Sequence, residues 1–167
     1  MGGLQKIMGR VAVPLVTPFQ DNEEVNFDSL RELADFVIRN DFCDSLILTG
    51  TTGEFHTMDD EERIAIWKAG KEAAAGRVPV VAGAGAASTR QTIKLAKIAE
   101  ELGFDAVMVV LPYYARPTQE GIERHFRAVA AAVSLPVMVY NIPLFTGVNV
   151  EPETLERLAR VPNIRGV

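Results

Sequence analysis

Short apolar runs alternate with stretches of helical period along the whole chain, in the order expected of parallel βαβ units. Arg10 to Thr17 (RVAVPLVT) predicts a first strand in which Pro14 sits awkwardly, because proline cannot donate to a ladder. Asn26 or Asp28 caps a helix to about Arg39, with Leu30, Leu33, Phe36 and Val37 on one face. Ser45 to Thr49 (SLILT) is the second strand, followed by the turn Gly50 to Glu54. Asp59 to Ala75 predicts a helix whose acidic start suits the helix dipole. Val78 to Ala82 is the third strand, Gly83-Ala84-Gly85 turns, and Ser88 caps a helix to about Leu102. Asp105 to Leu111 is the fourth strand. Thr118 to Val133 predicts a helix with Ile122, Phe126, Val129 and Ala130 at core spacing. Leu135 to Tyr140, Pro152 to Arg160 and Ile164 to Val167 read as a fifth strand, a helix and the opening of a sixth strand.

The strand starts near residues 10, 45, 78, 105, 136 and 164 recur every ~31 residues, so eight units would need about 247, close to the ~250 typical of a (β/α)8 barrel. An open doubly wound sheet fits the 167 residues better in length, but its G-x-G-x-x-G turn after the first strand is absent. Polar and aromatic residues gather instead at the C-terminal ends of several strands: Thr17, Thr49 to Glu54, Tyr113-Tyr114 and Tyr140-Asn141. A barrel builds its site there. The expectation is an α/β chain covering about the first five and a half units of a (β/α)8 TIM barrel, with residues 1–167 forming the N-terminal portion of one domain.

Composition narrows the chemistry. At 48% hydrophobic and 23% charged, the chain suits a packed globular fold rather than a disordered one. A net charge of -5 offers no basic face for a phosphate backbone, so nucleic acid is a poor partner. No apolar run approaches the ~20 residues that cross a bilayer, and Met1 to Met8 lacks the charged start and apolar middle of a signal peptide, so no membrane partner and a cytoplasmic location are expected. Cys43, the single cysteine, reads as a small hydrophobe in or beside a helix end. His56 and His125 are the only histidines, about 70 residues apart, so a three-histidine zinc site cannot be assembled and no metal is expected.

Three motifs carry candidate chemistry. Gly50-Thr51-Thr52-Gly53-Glu54 is either a plain strand-to-helix turn or a holder for a small carboxylate or phosphate, offering successive N–H groups and two hydroxyls. Glu54 can serve as a base or fix the loop by accepting backbone hydrogen bonds; the second is favoured, and His56 reads as a loop histidine. In Pro112-Tyr113-Tyr114-x-Arg116-Pro117, adjacent tyrosines point in different directions, so at most one enters a site. Arg116 either binds an anion or braces the loop, with bracing favoured. Tyr140-Asn141-Ile142-Pro143 ends the fifth strand with a phenol.

In combination with Thr146-Gly147, these motifs resemble the dihydrodipicolinate synthase / N-acetylneuraminate lyase family of class I aldolases, from about Arg10 to Val167. The resemblance implies a barrel enzyme whose lysine forms a Schiff base with pyruvate, with no cofactor. It implies that Gly50, Thr51 and Thr52 bind the pyruvate carboxylate. Tyr140 would be the phenol that relays protons beside the imine, and Thr51 would link it to Tyr114, which reaches in from a neighbouring subunit of a homotetramer. The family's lysine directly follows the Gly-Val pair that Gly166-Val167 resembles, one residue beyond this sequence. Lys6, Lys68, Lys71, Lys94 and Lys97 lie on predicted helix surfaces or before the first strand and cannot replace it.

Two departures bear on the substrate. Family members that are synthases carry an arginine for the carboxylate of aspartate semialdehyde where Phe145 stands here, and a phenyl ring cannot pair with a carboxylate. Ala87 and Gln91 stand where lysine-inhibited synthases carry asparagine and glutamate, so feedback by lysine is not expected. The expected activity is therefore a pyruvate-dependent carbon–carbon lyase, an aldolase for a 2-keto-3-deoxy sugar acid or a similar 2-keto acid, with pyruvate and an aldehyde as partners. The alternatives are a 4-hydroxy-tetrahydrodipicolinate synthase and, in another class, a non-catalytic carboxylate sensor.

Overall fold

A computed structural model describes residues 3–167; Met1 and Gly2, part of the Met1 to Met8 stretch considered above, lie outside the described residues. The chain divides into two compact units, Leu4–Gly83 and Ala84–Val167.

In the first unit a short helix, α1 (Gln5–Met8), precedes β1 (Ala12–Pro14), α2 (Phe27–Arg39), β2 (Ser45–Leu48), a 3-10 turn over Phe55–Thr57, α3 (Asp60–Ala74) and β3 (Val80–Gly83). The strands are parallel in the order β1-β2-β3, with Val13 opposite Leu46 and Ile47 opposite Val81. Every β2 and β3 residue is buried, as strands covered on both faces require. β1 is shorter than the run Arg10 to Thr17 suggests. Asp44 explains its start, because its carboxylate takes the N–H groups of Arg10 (2.6 Å) and Val11 (2.9 Å) before they can join a ladder. Pro14 ends it without a donor, and Leu15 N–H then reaches the Ile47 carbonyl at 3.0 Å.

Asn26 caps α2 by accepting from Ser29 N–H at 3.0 Å. Its inner face is rotated relative to the expected one: Leu30, Ala34, Val37 and Ile38 are buried, while Phe36 is exposed and packs edge-on against Phe42 at 5.7 Å. Between Phe36 and Ile38, two positions apart, Ile38 takes the inner face because it completes the i, i+4, i+8 stripe begun by Leu30 and Ala34. At α3 a capping box joins Asp59 and Glu62, each side chain accepting the other's backbone N–H at 2.8 and 3.0 Å.

The second unit runs α4 (Thr89–Glu101), β4 (Ala106–Val110), α5 (Gln119–Ala132), β5 (Val137–Tyr140), a single turn α6 (Pro143–Thr146), α7 (Pro152–Ala159) and β6 (Ile164–Gly166). Its strands are parallel in the order β4-β5-β6, with Val110 opposite Tyr140 at the C-terminal end of the first pair. Ser88 caps α4 as predicted, and Thr118, expected as the first residue of its helix, is the cap of α5. Ile122, Phe126, Val129 and Ala130 are all buried on α5. The short α1, the 3-10 turn and α6 have too few residues to show a period, and the sequence pattern does not announce them. Among the described residues no helix is long and apolar enough to cross a membrane.

Candidate functional site

In Leu4–Gly83 the chain leaves β2 through Thr49, whose φ of 52° is left-handed although its side chain is β-branched. Such a residue costs on the order of 1–3 kcal/mol and persists only where its surroundings hold it. Here they do. Trp67 Nε1 donates to Thr49 Oγ1 at 2.7 Å, and Thr49 Oγ1 donates in turn to the Gly83 carbonyl at 3.2 Å. Arg63, only 3% exposed, donates to the same carbonyl through Nη2. Its guanidinium lies 5.2 Å from the Phe55 ring and 5.9 Å from the Trp67 ring, within reach of both π faces. Gly83 must be glycine, since a Cβ there would stand 2.2 Å from the Thr49 oxygen.

The loop that follows is fixed by its own backbone. Gly53 N–H reaches the Gly50 carbonyl and Glu54 N–H the Thr51 carbonyl, both at 3.1 Å, while Thr17 Oγ1 donates to the Gly53 carbonyl at 2.8 Å. Gly53 is buried, with the Leu15 carbonyl 3.0 Å from where a Cβ would lie. Among the described residues, the N–H groups and hydroxyls of Thr51 and Thr52 have no hydrogen-bond acceptor. Thr51 is half-buried and Thr52 exposed, so two adjacent backbone donors and two hydroxyls stand ready for an anion.

Glu54 corrects one expectation. Its side chain is exposed and accepts no hydrogen bond from any described residue; the loop is held by Thr17 and by backbone bonds instead. What Glu54 supplies is a left-handed residue, φ 56°, leading into the 3-10 turn. His56 is an exposed loop histidine, as expected. Cys43 is half-buried just past α2, and burial first and the Asp44 charge second push its thiol pKa up, away from a nucleophile's range. Asp44 itself is held below the usual carboxylate range by the two N–H groups it accepts.

In Ala84–Val167 the phenol of Tyr140 sits half-buried at the end of β5. The next residue shapes the exit: Asn141 Oδ1 accepts from Val150 N–H at 3.1 Å while its Nδ2 donates to Asn149 Oδ1 at 2.8 Å. Thr146 is buried in α6, its hydroxyl 2.9 Å from the Val148 carbonyl. The two tyrosines after β4 diverge as adjacent residues must, Tyr113 half-buried and Tyr114 96% exposed at φ 72°. Within this unit Tyr114 and Tyr140 share no hydrogen bond. Arg116 is exposed, and its guanidinium lies across Gly147, where it fills the space a side chain there would take. Phe145, 64% exposed, stands beside Leu144 on α6. Lys94 and Lys97 are exposed on α4, Lys68 is exposed and Lys71 half-buried on α3, and Lys6 is exposed on α1.

Arg63 and Trp67 escaped the sequence reading, and Thr49 entered it only as a strand end. The signal was present but weak: Arg63 lies four residues before Trp67 and therefore on the same helix face, yet in Glu61-Glu62-Arg63 it looks like part of a solvated charge run.

Residues 7–167 match the Dihydrodipicolinate synthetase family. The chain is 46% identical over 160 residues to the 4-hydroxy-tetrahydrodipicolinate synthase of Bacillus velezensis, covering 96% of this chain and 55% of that protein. It is 48% identical over 157 residues to the Bacillus subtilis enzyme of the same name, covering 93% and 54%. It superimposes on the chloride-inhibited dihydrodipicolinate synthase of Acinetobacter baumannii, solved complexed with pyruvate, with a TM-score of 0.92 at 42% identity, over 96% of this chain and 54% of that one. The chain spans about half the length of the curated relatives it matches. Similarity of this extent assigns the fold class that the strand spacing predicts, alternating parallel β/α units of a (β/α)8 barrel. A match along nearly the whole sequence, with the glycine-threonine loop and the Tyr-Asn-x-Pro exit in place, leaves one assignment: the chain belongs to the dihydrodipicolinate synthetase family.

Proposed function

We propose that the full-length protein is a 4-hydroxy-tetrahydrodipicolinate synthase, condensing pyruvate with aspartate semialdehyde through an imine on a lysine that follows Val167. The observation that carries this reading is the Gly50 to Glu54 loop, whose Thr51 and Thr52 donors are committed to nothing else among the described residues. A carboxylate accepting two N–H groups and a hydroxyl would be oriented with its carbonyl carbon toward an attacking amine. Loss of water from the carbinolamine needs a proton at the leaving hydroxyl, and enamine formation needs one removed from C3. Tyr140 is the phenol we assign to those transfers. A relay from Tyr140 through Thr51 to Tyr114 would help by spreading the proton over several hydroxyls. Tyr114, bare in one subunit, is suited to serve a neighbouring one within a homotetramer. No cofactor is needed on this route, since the imine itself withdraws electrons. A cytoplasmic location belongs to the same proposal.

The named relatives favour this synthase over the sugar-acid aldolase that Phe145 suggests. Phe145 supports a second reading, an aldolase whose aldehyde partner carries no carboxylate at that position. Both readings are tested on the full-length protein. Borohydride added with pyruvate is expected to leave a reduced pyruvoyl adduct on a lysine, and absence of the adduct would reject both. Rates with pyruvate plus aspartate semialdehyde, against cleavage of 2-keto-3-deoxygluconate, then choose between them; faster cleavage would select the aldolase.

A further inference from the structure

We propose that Arg63 and Trp67 are positioning residues for the carboxylate loop: they hold Thr49 in its left-handed turn and thereby set where the Thr51 and Thr52 donors point. The proposal rests on the pyruvate reading above, and it adds residues on a helix that touch no substrate. The geometry forms a closed chain of donors. The Trp67 indole donates to Thr49, Thr49 donates to Gly83, and Arg63 donates to the same Gly83 carbonyl. Arg63 also lies against Phe55, the first residue past the loop. One helix therefore grips both ends of the five-residue segment, at Thr49 before it and at Phe55 after it.

Two features are hard to explain by stability alone. A β-branched residue at φ 52° is strained where glycine or asparagine would be relaxed. A guanidinium 3% exposed replaces an apolar side chain that would pack without desolvating a charge. Both are located at the same point, the exit of β2, where a small rotation redirects every N–H that follows. Strain held by over-determined hydrogen bonding is the signature of a preorganised binding loop.

The test uses the full-length protein with Arg63→Met, Arg63→Lys and Trp67→Phe, each first checked by its thermal melt. The readouts are the pyruvate concentration giving half-maximal borohydride adduct, and the separate KM values for pyruvate and for the carbonyl partner. Arg63→Met is expected to raise half-saturating pyruvate by at least ~10-fold, the scale of one lost charge-assisted hydrogen bond. The KM for the partner should stay within about twofold, because a displaced loop alters only the first site. Arg63→Lys should recover part of the loss, since an ammonium can still reach the Gly83 carbonyl. Should Arg63→Met fail to fold, Trp67→Phe decides, with a rise of several-fold expected from the lost donor to Thr49. Variants that trap pyruvate like the unaltered protein, or that raise both KM values alike, overturn the positioning role while leaving the pyruvate reading intact. No adduct in the unaltered protein overturns both.

Discussion

Tyr140 is the residue on which turnover should depend most steeply. It sits at the carboxyl end of β5 with its phenol half-buried, and Tyr140→Phe removes only the proton-bearing oxygen. A loss of roughly 10²–10⁴-fold in kcat is expected from a removed acid–base group, read from steady-state rates of the full-length protein. Unchanged kcat would take Tyr140 out of the mechanism. At this scale the legible residues were those flanked by punctuation. Two glycines mark Thr51 and Thr52 as a loop that needs close backbone approach, and Pro143 marks Tyr140-Asn141 as a strand exit. Arg63 was illegible because its type argues for solvent and only its partners, Gly83 twenty residues away and the two rings, argue for burial. Glu54 failed in the opposite sense: a carboxylate beside backbone donors invites an assigned role, yet its side chain faces water.

Elements were easier to read than residues because their signals add over many positions. α4, α5 and α7 begin where Ser88, Thr118 and Pro152 place them, since capping and proline geometry are decided locally. Strand ends were less certain. β1 depends on whether Asp44 takes its first donors, a contact 34 residues away in sequence. The capping box of α3 can be tested alone: Asp59→Ala leaves the Glu62 N–H without its side-chain partner and should lower unfolding free energy by about 1 kcal/mol. A shifted urea midpoint at unchanged slope would show it, and an unmoved midpoint would mean that packing of Ile66 and Trp67 alone holds the helix start.

For the molecule as a whole, acid stability should report on His125. This side chain is 2% exposed on α5, with Nδ1 2.9 Å from Thr89 Oγ1, and burial lowers its pKa from 6.5 to about 4. The unfolded chain therefore binds a proton first as pH falls. Stability from this group is complete above about pH 6.5, declines between there and about pH 4, and levels off below, a total of ~3 kcal/mol. Chemical denaturation across that range, repeated with His125→Gln, checks it. The variant's curve should be flatter, and parallel curves would assign the acid loss to other groups.

One feature beneath the loop offers a handle of a different kind. Trp67 is the single tryptophan of this chain, fully buried, and its indole N–H is bonded to the residue from which the Gly50 to Glu54 loop departs. Indole emission responds to the hydrogen bond at that nitrogen and to quenching by nearby charge. Light emitted by tryptophan in this chain thus originates one hydrogen bond away from Thr49, so an unlabelled sample carries its own optical probe of the loop.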